Sequence, residues 1–160
     1  MKQHTVTDSP YGPLTLVAED GVLCGLYMTD QRHRPPEESF GERDETPFGV
    51  AIDQLEAYFA GELKEFTLEL RLNGTEFQRR VWDQLRRIPY GETRSYGDLA
   101  DALGNAGASR AVGLANGKNP IGIIVPCHRV VGANGSLTGY GGGLDRKKRL
   151  LDFEGAAALF

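Results

Sequence analysis

Three short segments open the chain: residues 4–9 (HTVTDS), 13–19 (PLTLVAE) and 22–28 (VLCGLYM), all rich in β-branched and apolar side chains. They are separated by SPYGP and EDG, whose Pro, Gly and Asp-Gly residues carry turn chemistry, so a hairpin or meander is predicted. Residues 31–47 (QRHRPPEESFGERDETP) are polar, contain prolines and show no period, which predicts a surface loop or disordered stretch. Ile52, Leu55 and Phe59 then recur at helical spacing, and Gly61 ends that helix. Phe66, Leu68, Leu70 and Leu72 alternate with polar residues, which is the period of a strand. Residues 1–72 therefore read as a small α/β or α+β unit.

From residue 73 the period becomes helical. Thr75 and Gln78 form a capping-box pair, and Phe77, Val81, Leu85 and Ile88 line one face until Pro89-Tyr90-Gly91 breaks the helix. Ser95 and Asp98 repeat the capping pair and open a short helix through Leu103, with Leu99 and Ala102 facing inward. GNAGAS is a turn, and a third helix follows with Ala108, Ala111, Val112 and Ala115 as its apolar stripe. Two short helices joined by a glycine-containing turn have helix-turn-helix proportions, which a plain αα-hairpin shares. Next, IGIIV reads as a short buried strand and Pro126 redirects the chain; a glycine-rich stretch, GANGSLTGYGGG, follows. Asp145 is the expected N-cap of a last helix, closed by Gly155.

The 160 residues suffice for one ordinary domain or two small ones, and we place a boundary between 1–72 and 73–160. A composition of 40% hydrophobic and 25% charged residues is that of a soluble globular protein. No stretch approaches the ~20 apolar residues of a membrane span, and MKQHTVTDSP lacks the apolar core of a signal peptide. With only Cys24 and Cys127, free thiols in a reducing, cytoplasmic setting are expected. The net charge of −4 hides an asymmetry. Residues 1–72 carry 6 Lys/Arg against 14 Asp/Glu, whereas residues 73–160 carry 12 against 8. A basic second half points to a polyanionic partner.

Candidate chemistry concentrates in IIVPCHRVVG, where Cys127 and His128 are neighbours. A thiol with a reference pKa of ~8.5 is mostly protonated at neutral pH and needs a base or cation to become a nucleophile. On an extended backbone consecutive side chains point apart, so His128 can serve Cys127 only through a turn after Pro126 or an intervening water. The base in turn needs an orienting acceptor. Asp152 and Glu154 both qualify on the last helix, and their positions alone do not choose between them.

PCHRV with its apolar lead-in resembles the active-site signature of the O6-alkylguanine-DNA alkyltransferases. DSPYGPLTL, FQRRVWDQLRRIPYGETRSYGDLA, SRAVGLANGKNPIGIIVPCHRVVG and GSLTGYGGGLDRKKRLLDFEG each resemble a family block, in family order. Only residues 31–47 fall outside the match. The resemblance implies a ribonuclease H-like N-terminal α/β domain with a small sheet, and a helical C-terminal domain with a winged helix-turn-helix. It implies that Cys127 accepts the alkyl group once and irreversibly, that His128 is its base through a bridging water, and that Glu154 rather than Asp152 orients the histidine. Asn119 matches the hinge asparagine, and Tyr96 the hydroxyl that protonates guanine N3. The substrate is expected to be O6-alkylguanine, and more weakly O4-alkylthymine, in double-stranded DNA.

A base inside a duplex must be flipped out to reach a thiol, at a cost of a few kcal/mol. By resemblance Arg110 is the finger that fills the vacated stack, on a helix whose small residues, Ala111 among them, let it enter the minor groove; Ser95 joins this DNA-facing set. Tyr140 is the implied wall of the guanine pocket, the Gly141 N–H the contact to guanine O6, and the Val130 carbonyl the acceptor for the exocyclic amine. Minor-groove reading is degenerate, which suits a sequence-independent repair protein. A monomer is expected, with cooperativity on DNA left open.

Other residues receive plainer assignments. Trp82 is expected in the core, and Arg146, Lys147, Lys148 and Arg149 on a solvated helix face. Gly141, Gly142 and Gly143 suggest a mobile pocket rim. Cys24 reads as a small packed hydrophobe, and its spacing to His4 and His33 resembles no zinc motif, so neither metal nor cofactor is expected. Two rival classes remain distinguishable. A lesion sensor or helix-turn-helix regulator would bind such DNA without modifying the thiol, and a Cys-His hydrolase would turn over esters beyond one equivalent.

Overall fold

The strand pattern of the first thirty residues folds into a meander. In the computed structural model, which describes residues 1–133, 135 and 140–156, β1 (Lys2–Thr7) pairs antiparallel with β2 (Leu14–Glu19), and β2 with β3 (Val22–Met28). The β2–β3 turn is Asp20-Gly21, both at positive φ (51° and 81°), the conformation a two-residue hairpin of this twist requires. Cys24 is the extra residue of a bulge, because Val17 faces Gly25 while Ala18 faces Leu23.

Residues 31–47 are more ordered than their composition predicts. They contain a 3-10 turn at Glu37–Phe40, a short strand β4 (Glu42–Arg43) parallel to β1, and a second 3-10 turn at Thr46–Phe48. The sheet order is thus β3-β2-β1-β4. Two aromatic anchors explain the correction: Phe40 stacks on Tyr27 beside Val17 and Cys24, and Phe48 is buried in the main core. α1 (Gly49–Phe59) follows, with Ala51, Leu55 and Tyr58 buried. Residues 66–70 alternate between half-buried and exposed positions, but residues 66–72 form no regular strand. Their contact with β3 is a single bridge, Leu23 to Leu70, with the Arg71 N–H on the Leu23 carbonyl.

Both predicted capping boxes form, at Thr75–Gln78 on α2 (Glu76–Arg86) and at Ser95–Asp98 on α3 (Tyr96–Ala102). β5 (Arg94–Ser95) leads into α3, and α4 (Ser109–Gly117) follows the turn at 103–108. Two details of the predicted stripes change. Ala100 rather than Ala102 is buried on α3, and Ala111 is exposed on α4 while Val112 and Ala115 are buried. Trp82 is core, as expected, and its indole N–H reaches the Ala115 carbonyl at 2.9 Å, tying α2 to α4.

The chain ends in β6 (Val130–Val131), parallel to β5, and α5 (Leu144–Glu154). Asp145 does not cap α5. The N-cap is Gly143, without a side-chain cap, and Asp145 lies in the first turn. Part of the glycine-rich stretch, residues 136–139, lies outside the described residues, as do residue 134 and residues 157–160. One continuous apolar core runs from Leu14 and Leu16 of the sheet through Leu85 and Val112 to Leu150 of α5. Among the described residues no helix is long and apolar enough to cross a membrane.

Candidate active site

IGIIV is not a strand, and the reason places the thiol. Ile121 makes one bridge to Leu26, after which the chain coils through consecutive tight turns. The Ile124 N–H bonds the Gly122 carbonyl at 2.8 Å across Ile123, whose φ of +70° is costly for a β-branched residue. The Cys127 N–H bonds the Val125 carbonyl at 2.8 Å across Pro126 (φ −82°, ψ 66°), an inverse γ-turn. Asn119 secures this coil: its Nδ2 donates to the Val125 carbonyl at 2.7 Å and its Oδ1 accepts the Ile121 N–H at 3.0 Å. Cys127–Arg129 then forms a 3-10 turn, so Cys127 and His128 do not alternate as on an extended strand, and all three residues are buried.

Glu154 is the hub of the buried cluster. Its Oε2 meets His128 Nε2 at 2.9 Å, Arg129 Nη2 at 3.0 Å and the Tyr58 hydroxyl at 2.6 Å; its Oε1 takes Arg129 Nε at 2.8 Å. Arg129 Nη1 donates to the Ile88 carbonyl at 2.6 Å, so all three guanidinium nitrogens are bonded. Burial alone would raise the Glu154 carboxyl, but hydrogen bonds from His128 and Arg129 outweigh it and hold the group down to about 2. An ionised Glu154 obliges His128 Nε2 to carry the proton. Nδ1 is then the basic nitrogen; it is buried and meets no protein partner among the described residues.

The electrostatics favour a neutral base and a guarded thiol. Burial pushes His128 below the ordinary imidazole value, against the pull of Glu154. Burial likewise pushes the Cys127 thiol up, opposed by a hydrogen bond from Asn119 and by the charge of Lys147. Lys147 corrects the expected solvated basic face, since its side chain is fully buried. Its ammonium is pushed down to about 8 by burial, against the pull of Cys127. At neutral pH the cluster thus holds two cations, Arg129 and Lys147, with a thiol, a neutral imidazole and a carboxylate.

The other sequence-predicted residues divide into two groups. The β5–β6 ladder pairs Arg94 with Val130 and Ser95 with Val131, which brings the start of α3 beside the strand that follows the thiol. Tyr96, the next residue, is half-buried with its ring close to Gly113 of α4. Val130 is buried, and so is Tyr140, whose hydroxyl is raised well above its ordinary value by burial and then by Cys127. The Gly141 carbonyl accepts the Arg32 N–H at 2.8 Å, and a Cβ on Gly142 would lie 2.7 Å from Met28 Sδ. Gly141 and Gly142 of the predicted rim thus lie against residues 28–32, whereas a Cβ on Gly143 would meet open space. Arg110 and Ala111 stand apart from the buried cluster, exposed at the start of α4.

Four residues of the cluster escaped the sequence reading: Tyr58, Asn116, Arg129 and Lys147. Asn116 of α4 reaches the Cys127 carbonyl at 3.5 Å. For Lys147 a signal was available. Lys147, Leu150, Leu151 and Glu154 are spaced as one helical stripe, and all four are buried.

A buried thiol beside an imidazole braced by a carboxylate, with a helix pair whose second member touches the thiol's backbone, is the arrangement of a cysteine-centred site joined to a helix-turn-helix. Family comparison makes this specific. Residues 2–72 match the ribonuclease-like domain, and residues 76–156 the DNA binding domain, of 6-O-methylguanine DNA methyltransferase. The chain belongs to that methyltransferase family. It is 59% identical over 154 residues to a methylated-DNA–protein-cysteine methyltransferase of Mycolicibacterium paratuberculosis, covering 96% of this chain and 93% of that one. It superposes on the crystal structure of Mycobacterium tuberculosis OGT in complex with DNA with a TM-score of 0.91 at 58% identity, covering 95% of this chain and 92% of the other. The O6-methylguanine-DNA methyltransferase of Pyrococcus kodakaraensis gives 0.68 at 26% identity over 98% of this chain and the whole of that one.

Proposed function

We propose that the protein repairs duplex DNA by moving the alkyl group of O6-alkylguanine, and more weakly of O4-alkylthymine, onto Cys127, once per molecule. The observation that carries this reading is the 2.9 Å contact of His128 Nε2 with Glu154 Oε2: an ionised carboxylate accepts a hydrogen bond from Nε2–H, which leaves the buried Nδ1, without a protein partner among the described residues, as the basic nitrogen. The thiol proton passes through a water to His128 Nδ1. Sulfur then attacks the alkyl carbon, the carbon–O6 bond breaks, and its electrons stay on guanine. Tyr96 gives a proton to guanine N3 and recovers one from solvent while His128 releases the thiol proton to solvent, so a thioether and neutral guanine result. A preorganised donor of this kind is worth roughly 2.7–4 kcal/mol in a transition state.

We also propose a division of labour at residue 72. The N-terminal part supports, and the C-terminal part binds DNA and reacts. α4 enters the minor groove with Ala111 at the surface, Arg110 replaces the flipped nucleotide, and Ser95 joins the DNA-facing set. Tyr140 walls the guanine pocket, the Val130 carbonyl and the Gly141 N–H read the base edge, and Asn119 is the hinge. Binding by a monomer is independent of sequence, and a thiol that must stay reduced suits the cytoplasm.

Mass spectrometry tests the reading directly. Incubation with an O6-methylguanine duplex is expected to add one methylene to Cys127, stoichiometrically, and Cys127→Ser is expected to abolish transfer. Bound lesion DNA with an unmodified thiol would identify a sensor instead.

A further inference from the structure

Tyr58 lies on α1, 96 residues before Glu154, yet its hydroxyl donates to Glu154 Oε2 at 2.6 Å. It is fully buried and held by edge-on contacts with Phe59, Tyr90 and Phe153. The acceptor is the same oxygen that meets His128 Nε2 at 2.9 Å. Glu154 does not depend on this bond for a partner, because Arg129 and His128 already supply it with three donors. Its effect is on the histidine: lone-pair density given to a phenol is withheld from the imidazole, and the carboxylate is fixed in one orientation.

We infer that Tyr58 is a positioning residue for the transfer reaction, reaching from the N-terminal half to set how tightly Glu154 holds the His128 imidazole. The inference rests on the reading of His128 as the base. Arg129 and Lys147 bear on His128 and oppose its protonation. Tyr11, Tyr90 and Tyr140 also feel the Glu154 charge, but hydrogen bonds are given to Glu154 only by His128, Arg129 and Tyr58 among the described residues. Removing the phenol oxygen hands Oε2 more fully to His128. That favours the imidazolium and loosens the carboxylate.

The test is the single-turnover rate of methyl transfer to Cys127 from an O6-methylguanine duplex, measured against pH for the full chain and for Tyr58→Phe. A plateau rate lower by about threefold to tenfold is expected, the scale of one hydrogen bond to a charged group. The acid limb of the profile is expected to move up by about half a pH unit. In a Glu154→Gln background, Tyr58→Phe should cost nothing further. Should Tyr58→Phe fail to fold, 3-fluorotyrosine at position 58 preserves the packing and strengthens the donor, and the acid limb should then move down. An unmoved acid limb, whether with wild-type rate or with only a lowered melting temperature, overturns the inference. A wild-type protein that takes up no alkyl group would instead overturn the reading of the site.

Discussion

Two arginines show how differently the two regions of this molecule are built. Arg129 is buried and has every nitrogen bonded, to Glu154 of α5 and to the Ile88 carbonyl beyond α2. Arg110 is exposed at the first turn of α4. The first holds a charge network that positions an imidazole. The second is available to a partner. Burial thus separates a residue that fixes geometry from one that reaches outward, although the side chains are identical.

The sharpest challenge to that contrast is Arg129→Met, which leaves Glu154 buried without its bidentate partner. A loss of about 3–5 kcal/mol is expected. For a chain of this size that lowers the melting temperature by roughly 10 °C, readable by calorimetry. Acid titration probes the same hub. The folded-state pKa of Glu154 is depressed from 4.5 to about 2, so its contribution is fully present above pH 4.5 and is lost as pH falls towards 2. Unfolding measured across that window should show a decrement on the order of 3 kcal/mol that is absent in Glu154→Gln.

Lys147→Met separates charge from packing in the buried region. Removal of the ammonium should raise the Cys127 titration, followed by thiol alkylation against pH, and slow transfer at neutral pH by about tenfold. Arg110→Ala completes the contrast at the exposed end. Its effect on melting should stay within about 0.5 kcal/mol, the scale of exposed surface substitutions. Transfer from duplex DNA should nonetheless fall, while transfer from free O6-methylguanine stays unchanged. A large loss of stability in Arg110→Ala would erase the distinction between the two regions.

What could be read from the chain followed the range of the interactions. Capping boxes, the Asp20-Gly21 hairpin and the α2 stripe depend on residues within a turn or two, and they form as expected. The reading of residues 31–47 as a surface loop holds for most positions, but β4 and the 3-10 turns were not legible, because Phe40 and the flanking Phe48 find their partners on distant strands. IGIIV failed because an apolar run looks the same in a strand and in a coil of tight turns; Asn119 and Pro126 decide the matter through hydrogen bonds and φ restriction. At the site, Lys147 was hidden by its charged neighbours, although its spacing to Leu150, Leu151 and Glu154 was helical.

By itself the sequence determined the opening meander, the two capped helices, Cys127-His128 as the candidate chemical focus, and a basic second half. Helical spacing alone left Asp152 and Glu154 open, and the tertiary structure puts Glu154 on His128 as the family resemblance implied; only the tertiary structure decided that Arg129 and Lys147 are buried and that Tyr58 reaches across 96 residues to the same carboxylate. Local periodicity orders residues along one element. Which charges share a dry interior depends on how elements far apart in the chain pack together, and no short-range pattern encodes that.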